Sequence, residues 1–219
     1  MKRRLFIFFT LLLLTTTVSN LEAKNVQYLE ILGKEKEFLS RWQITQVNKN
    51  EQIISGNTLL DNLEVRTIDG STVEWINNRK HENKQFKAIR SNEKIIITGT
   101  ENDEPIEKSI NVSTIPWFQT PGFLLKPFIL SDKESIQFLF LRIKSLTPIL
   151  LEVKKIGEET LTLNNIEHKA IKTELYPPNF LKYFWKASMW FDKETGNVLK
   201  YDGLVSGPGS DTFQIIYSN

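Results

Sequence analysis

The side chains that could do chemistry in this chain of 219 residues are few and scattered. Cysteine is absent, so no disulfide, thiolate metal site, cysteine nucleophile or lipid-modified cysteine is possible. Of the two histidines, His81 lies in the polar run Asn77 to Lys84 between Lys80 and Glu82, and reads as solvated. His168 stands between Glu167 and Lys169 in a run with strand character. A histidine acting as general base needs a nucleophile and an orienting partner within reach. Ser188, Asp192 and Glu194 offer the functional groups, but no local motif gathers them. Gly-x-Ser-x-Gly, His-Glu-x-x-His and a phosphate-binding loop are all missing. Glu101, Asp103, Glu104 and Glu107 could hold calcium, yet they lack the alternating acids and central glycine of an EF-hand loop. These residues imply no catalytic group, no metal and no cofactor, with a hydrolase as the weakest of three functional readings.

The elements that would position these groups read as strands. Trp185 to Tyr217 holds three runs rich in aromatic and β-branched residues, separated by two turns. The first turn, Asp192 to Asn197, contains Gly196, which takes φ > 0 at no steric cost. The second is Ser206-Gly207-Pro208-Gly209-Ser210-Asp211. A three-stranded antiparallel meander follows. Upstream, Leu63 to Ile68 alternates, with Leu63, Val65 and Thr67 on one face, and Asp69-Gly70 closes a hairpin onto Thr72 to Ile76. Further strands are expected at Gln27 to Leu32, Trp42 to Val47, Gln52 to Ser55, Phe86 to Arg90 and Lys94 to Thr98. Ile149 to Lys155, Glu159 to Leu163 and Ile166 to Leu175 add three more, with Gly157-Glu158 and Asn164-Asn165 as turns. Asn77 to Lys84 and Gly99 to Lys108 read as exposed loops. About ten to twelve strands predict a mainly β fold. The expected architecture is a curled antiparallel sheet, an open half-barrel, with one or two short helices or an irregular apolar segment over its concave face.

That covering segment is Ile115 to Leu130, the most apolar stretch after residue 23. Pro116, Pro121 and Pro127 bar it from a long helix or a central strand. It must still leave water, which predicts that it packs across the sheet with Phe180, Phe184 and Trp190 nearby. Ser131 to Glu134 resembles a capping box, so Asp132 to Leu141 reads either as a short helix or as a strand through Phe138 to Leu141. Tyr176 to Phe184 is unusually aromatic for a connection. It reads as a core plug, or else as a lip that touches lipid or a partner.

Residues 1–23 have the form of a cleaved secretory signal: Lys2, Arg3 and Arg4, then an apolar run from Leu5 to Leu14. Residues 24–219 then form one domain, with no later segment apolar enough to span a membrane. Removing Lys2, Arg3, Arg4 and Glu22 from the totals of 28 basic and 26 acidic residues leaves the remainder with no net charge. Such a chain is a poor nucleic-acid binder.

Taken together, the export signal, the early Trp42 strand, Pro116-Trp117-Phe118-Gln119, Trp190-Phe191-Asp192, Gly196 and Leu199-Lys200-Tyr201-Asp202-Gly203 resemble a group of bacterial periplasmic proteins of unknown function. Their domain is an open β half-barrel related in shape to the lipoprotein carriers LolA and LolB. The resemblance implies a periplasmic location and supplies no catalytic residues. The first functional reading is therefore a non-catalytic module that binds a lipid or other hydrophobic small molecule. Its expected ligand-binding residues are Trp117, Phe118, Phe123, Leu124, Phe128, Phe180, Phe184 and Trp190. The second is a structural protein with a permanently filled core and an envelope protein partner.

Overall fold

The computed structural model describes residues 22–34, 36–204 and 211–218. Residues 1–21 of the expected signal, 1–23, and most of the second turn, at 205–210, lie outside these residues, while Glu22 and Ala23 belong to the first strand. Strands dominate the rest. They are β1 (Glu22–Leu32), β2 (Lys36–Asn48), β3 (Glu51–Asn57), β4 (Asp61–Ile68), β5 (Ser71–Arg79), β6 (Lys84–Ser91), β7 (Lys94–Glu101) and β8 (Glu104–Asn111). After two one-turn helices, α1 (Pro121–Leu124) and α2 (Lys126–Ile129), come β9 (Ser135–Arg142), β10 (Thr147–Leu163), β11 (Ile166–Tyr176), β12 (Ala187–Asp192), β13 (Val198–Leu204) and β14 (Thr212–Tyr217).

All of them join one 14-stranded antiparallel sheet in the order β8-β7-β6-β5-β4-β3-β2-β1-β14-β13-β12-β11-β10-β9. Two meanders thus meet in the middle, where β1 pairs with β14 and Tyr28 lies opposite Tyr217. The sheet curls without closing, since its edges β8 and β9 are not paired with each other. The chain must still travel from one edge to the other between Asn111 and Ser135. That crossing is the proline-rich apolar segment, and it runs over the concave face because topology gives it nowhere shorter to go.

Turn chemistry sets the register of the hairpins. Asp69-Gly70, Asn102-Asp103 and Asn164-Asn165 have positive φ at both positions, as two-residue hairpin loops of the primed type require. At the β12–β13 turn Gly196 has φ 68°, and the Asp192 carboxylate accepts from the N–H groups of Glu194 and Thr195. The expected terminal meander is present as β12, β13 and β14.

Three expectations need correction. The run 77–84 is not an exposed loop: β5 continues to Arg79 and β6 begins at Lys84, with Asn77, Arg79 and Lys84 buried. The acidic run 99–108 is the β7–β8 hairpin, and only Asn102-Asp103 is turn. Ile149 to Lys155 and Glu159 to Leu163 are one strand, β10, with a bulge between Lys155 and Gly157 in place of a turn, whereas after Ser131 the strand reading holds, as β9.

One core lies between the concave face and the crossing segment. It joins Ile54, Val65, Trp75, Phe86, Ile95 and Ile97 of the first meander to Trp117, Leu125, Phe138 and Phe191.

Candidate functional site

The crossing segment is fastened at its start. Trp117 is wholly buried, and the segment around it bonds to both halves of the sheet. The N–H of Trp117 donates to Ser71 Oγ (3.1 Å), and its carbonyl accepts from the N–H of Thr72 (2.7 Å). On the other side, Phe118 N–H donates to the Leu139 carbonyl at 2.9 Å, and Leu139 N–H donates to the Pro116 carbonyl at 2.8 Å. Gln119 completes the clasp. Its Oε1 accepts from the Trp117 indole (2.9 Å) and from Leu141 N–H (3.1 Å), while its Nε2 donates to the Leu141 carbonyl (3.1 Å). Every polar group of this amide finds a partner in a dry place, so this half of the cover is a fixed part of the core.

The second half is looser. Pro121 and Pro127 sit in the first turns of α1 and α2, where a missing N–H costs nothing. Leu124, Phe128 and Ile129 are buried, but Phe123 is only half-buried, against Tyr28 (6.1 Å) and Trp42 (4.9 Å). Beside it a cleft of about 470 Å³ opens between α1–α2, strands β1 and β2, the β12–β13 turn and the tip of the β10–β11 hairpin. Val26, Tyr28, Ile44, Phe123, Leu124 and Val198 give it an apolar lining, and Lys24 and Lys126 belong to its wall. The Tyr28 hydroxyl donates to the Val198 carbonyl, and burial raises its pKa far above the usual phenol value.

His168 and Asp192 also line this cleft, with Nδ1 to Oδ2 at 4.0 Å. The other Asp192 oxygen is engaged by the Thr195 hydroxyl and N–H. Ser188 is four residues away along β12, about 13 Å by strand rise. The expected candidates for chemistry therefore do not form a nucleophile, base and orienter set. Among the described residues, no three histidine or carboxylate groups converge as a metal site.

Of the eight residues expected to bind a ligand, the fold gathers Trp117, Phe118, Phe123, Leu124 and Phe128 in the cover, and only Phe123 and Leu124 reach the cleft. Trp190 lies apart. Met189 and Phe191 point into the main core, so strand alternation sends Trp190 to the other face, where it clusters with Ala170 and Leu199. There the ammonium groups of Lys172 and Lys200 lie 5.0 and 4.9 Å from its ring, and its indole donates to Glu159. Phe180 and Phe184 are exposed, in a short 3-10 turn (Asn179–Tyr183) and just after it, so this connection is not a core plug. That turn precedes β12, whereas the cleft lies where β12 ends, so the two features occupy opposite ends of the sheet.

Gly196 has a second role that its turn position did not reveal. It lines the cleft, and a Cβ there would lie 3.0 Å from Lys126 Cγ and 3.1 Å from Leu130 Cγ. Gly196→Val is therefore expected to cost about 2 kcal/mol from backbone strain and also to displace α2. Thermal melting and ligand-probe affinity should both change; a shift in melting alone would show that α2 does not feel the turn.

The far end of the trough holds a polar group that sequence reading missed. Glu30, Asp61, Asn77, Arg79 and Lys84 are all buried there. The Glu30 carboxylate accepts from Leu59 N–H at 2.8 Å, and Lys84 donates to the Lys144 carbonyl at 2.9 Å. Arg79 Nε is 3.6 Å from Asp61. Burial raises the pKa of both carboxyls, opposed at Glu30 by the Leu59 N–H, the Ser40 hydroxyl and Lys80, and at Asp61 by Arg79. A carboxyl whose pKa is raised by folding binds its proton more tightly in the folded state. Its contribution to stability is therefore complete below the unfolded pKa and is lost as pH rises through the folded pKa. Glu30→Gln should keep the Leu59 bond, raise the melting temperature at mildly alkaline pH and flatten the gain on acidification. An unchanged pH profile of melting would show that Glu30 does not titrate this way.

No protein-family profile matches the sequence, and no curated protein does. Solved structures do. A β-barrel-like protein of the domain of unknown function DUF1849 from Brucella abortus superposes with a TM-score of 0.60 at 6% identity, covering 91% of this chain and 96% of that one. The hypothetical lipoprotein YmcC from Escherichia coli matches at 12% identity over 88% of this chain and 86% of that one, with a TM-score of 0.43. A LolA superfamily protein from Nitrosomonas europaea matches at 9% identity over 90% and 83%, with a TM-score of 0.22. The last two superpose too loosely to carry an argument. The first establishes the fold, and the expected open, half-barrel architecture is the one observed.

Proposed function

We propose that this chain is an exported, non-catalytic envelope protein that binds a small amphiphile, an acyl chain with a polar or anionic head, in the cleft beside α1 and α2. The observation that carries this reading is the contrast within the cover. Its clasped half fills the trough for good, while the half around Phe123 leaves an apolar cleft of about 470 Å³. That size falls within the range of roughly 300–1,000 Å³ usual for small-ligand sites. Lys24 and Lys126 offer charge to an anionic head. The separation of Ser188 from His168 and Asp192 supports a binding role over a catalytic one. Export rests on the basic and apolar order of residues 2–14, with a mature chain expected to begin near Lys24. The clasp itself favours a second reading, a structural protein whose concavity is permanently full. Titration with a fluorescent fatty-acid probe separates the two. Saturable binding, displaced by unlabelled fatty acid, is the expected result; its absence would leave the filled-core reading.

A further inference from the structure

We infer that the turn carrying Phe180, Tyr183 and Phe184 is a docking point for the surface of an anionic lipid bilayer. These three rings are 66%, 79% and 66% exposed, more than any other large apolar or aromatic side chain among the described residues. They are not loose ends. Pro177 before them is buried, and Trp185 after them packs against the main core, so the turn is pinned on both sides. Asn179 holds φ 66° at its start, and Phe180 and Phe184 meet edge to face at 6.3 Å. The turn is thus a fixed projection, and its aromatic side chains face water at a standing cost.

Its composition selects the partner. Lys182 makes no ion pair among the described residues, and its ammonium lies 5.4 Å from the Tyr183 ring centroid. Lys186 follows, paired with Glu174 at 2.8 Å. From Asn179 to Lys186 there is no acidic residue. Apolar rings and a tyrosine beside lysines suit the membrane–water interface, where rings enter the headgroup and acyl boundary and ammonium groups meet phosphates. A single turn is too small for a stable protein interface, which takes roughly 800 Å² from each partner. Docking by this end leaves the opposite end, with the cleft, facing away from the bilayer. The inference is independent of what the cleft binds.

The test is co-sedimentation of the full chain with vesicles of phosphatidylethanolamine and phosphatidylglycerol, compared with vesicles of phosphatidylcholine alone. Binding to the anionic vesicles, weakened by salt, is expected. The double variant Phe180→Ser, Phe184→Ser should reduce the partition coefficient at least about tenfold, and Lys182→Gln roughly fivefold. Both alter exposed side chains, so unchanged thermal melting confirms that they fold. Ile44→Trp, which fills the cleft, should bind vesicles like the wild type. The inference is overturned if the wild type stays in solution with anionic vesicles, or if the double variant sediments equally well. Loss of binding in Ile44→Trp alone would overturn it too, because lipid capture in the cleft would then explain the sedimentation.

Discussion

Trp117→Ala is expected to cost about 3–5 kcal/mol of folding stability, lowering the melting temperature by roughly 6–20 °C for a chain of this size. The indole is wholly buried, and its N–H is one of three bonds that satisfy the Gln119 amide. Removing it leaves a cavity between β5 and β9 at the place where the crossing segment ties the two meanders together. Phe123→Ala offers the contrast. That ring is half-buried and faces the cleft, so its loss should cost clearly less and should change probe affinity instead. Thermal or denaturant unfolding of both variants checks the pair. Equal losses would mean that the cover has no fixed and loose halves.

Ile44→Trp is expected to weaken binding of a fatty-acid probe at least tenfold, about 1.4 kcal/mol or more. Ile44 lies on β2, half-buried, with its side chain in the cleft wall among Val26, Tyr28 and Phe123. An indole there takes the volume an acyl chain would use. Because the position is not fully buried, the substitution should cost no more than the usual overpacking penalty of about 1–3 kcal/mol, a melting shift of roughly 2–12 °C that leaves the protein folded at room temperature. Probe titration and melting on the same sample separate occlusion from unfolding. Full affinity in a folded Ile44→Trp protein would place the ligand elsewhere.

Local chemistry made much of the fold legible. Asp69-Gly70, Asn164-Asn165 and the turn through Gly196 announced their hairpins because positive φ demands particular residues. Pro116, Pro121 and Pro127 marked the crossing segment because proline donates no ladder hydrogen bond, and three so close together break any regular strand or long helix. The polar strands were hidden for the opposite reason. Asn77, Arg79 and Lys84 look like loop residues, and the partners that let the two cations be buried, Asp61 and Glu82 for Arg79, Glu101 and the Lys144 carbonyl for Lys84, form no local pattern. The clasp was equally silent, since Trp117 finds Ser71 at 46 residues' separation and Gln119 finds Leu141 at 22. Trp190 could have been set apart from Met189 and Phe191 by strand alternation alone. For Phe180 and Phe184 no sequence pattern told a ring that plugs a core from one that faces water.

Native mass spectrometry of protein purified from its own cells decides whether the cleft carries an amphiphile. The expected result for the wild type is a bound mass in the range of a fatty acid or small acyl lipid. Collisional activation should remove it, and it should be absent or strongly reduced in Ile44→Trp. A bare polypeptide mass in the wild type, together with no saturable binding of the fatty-acid probe, would contradict it.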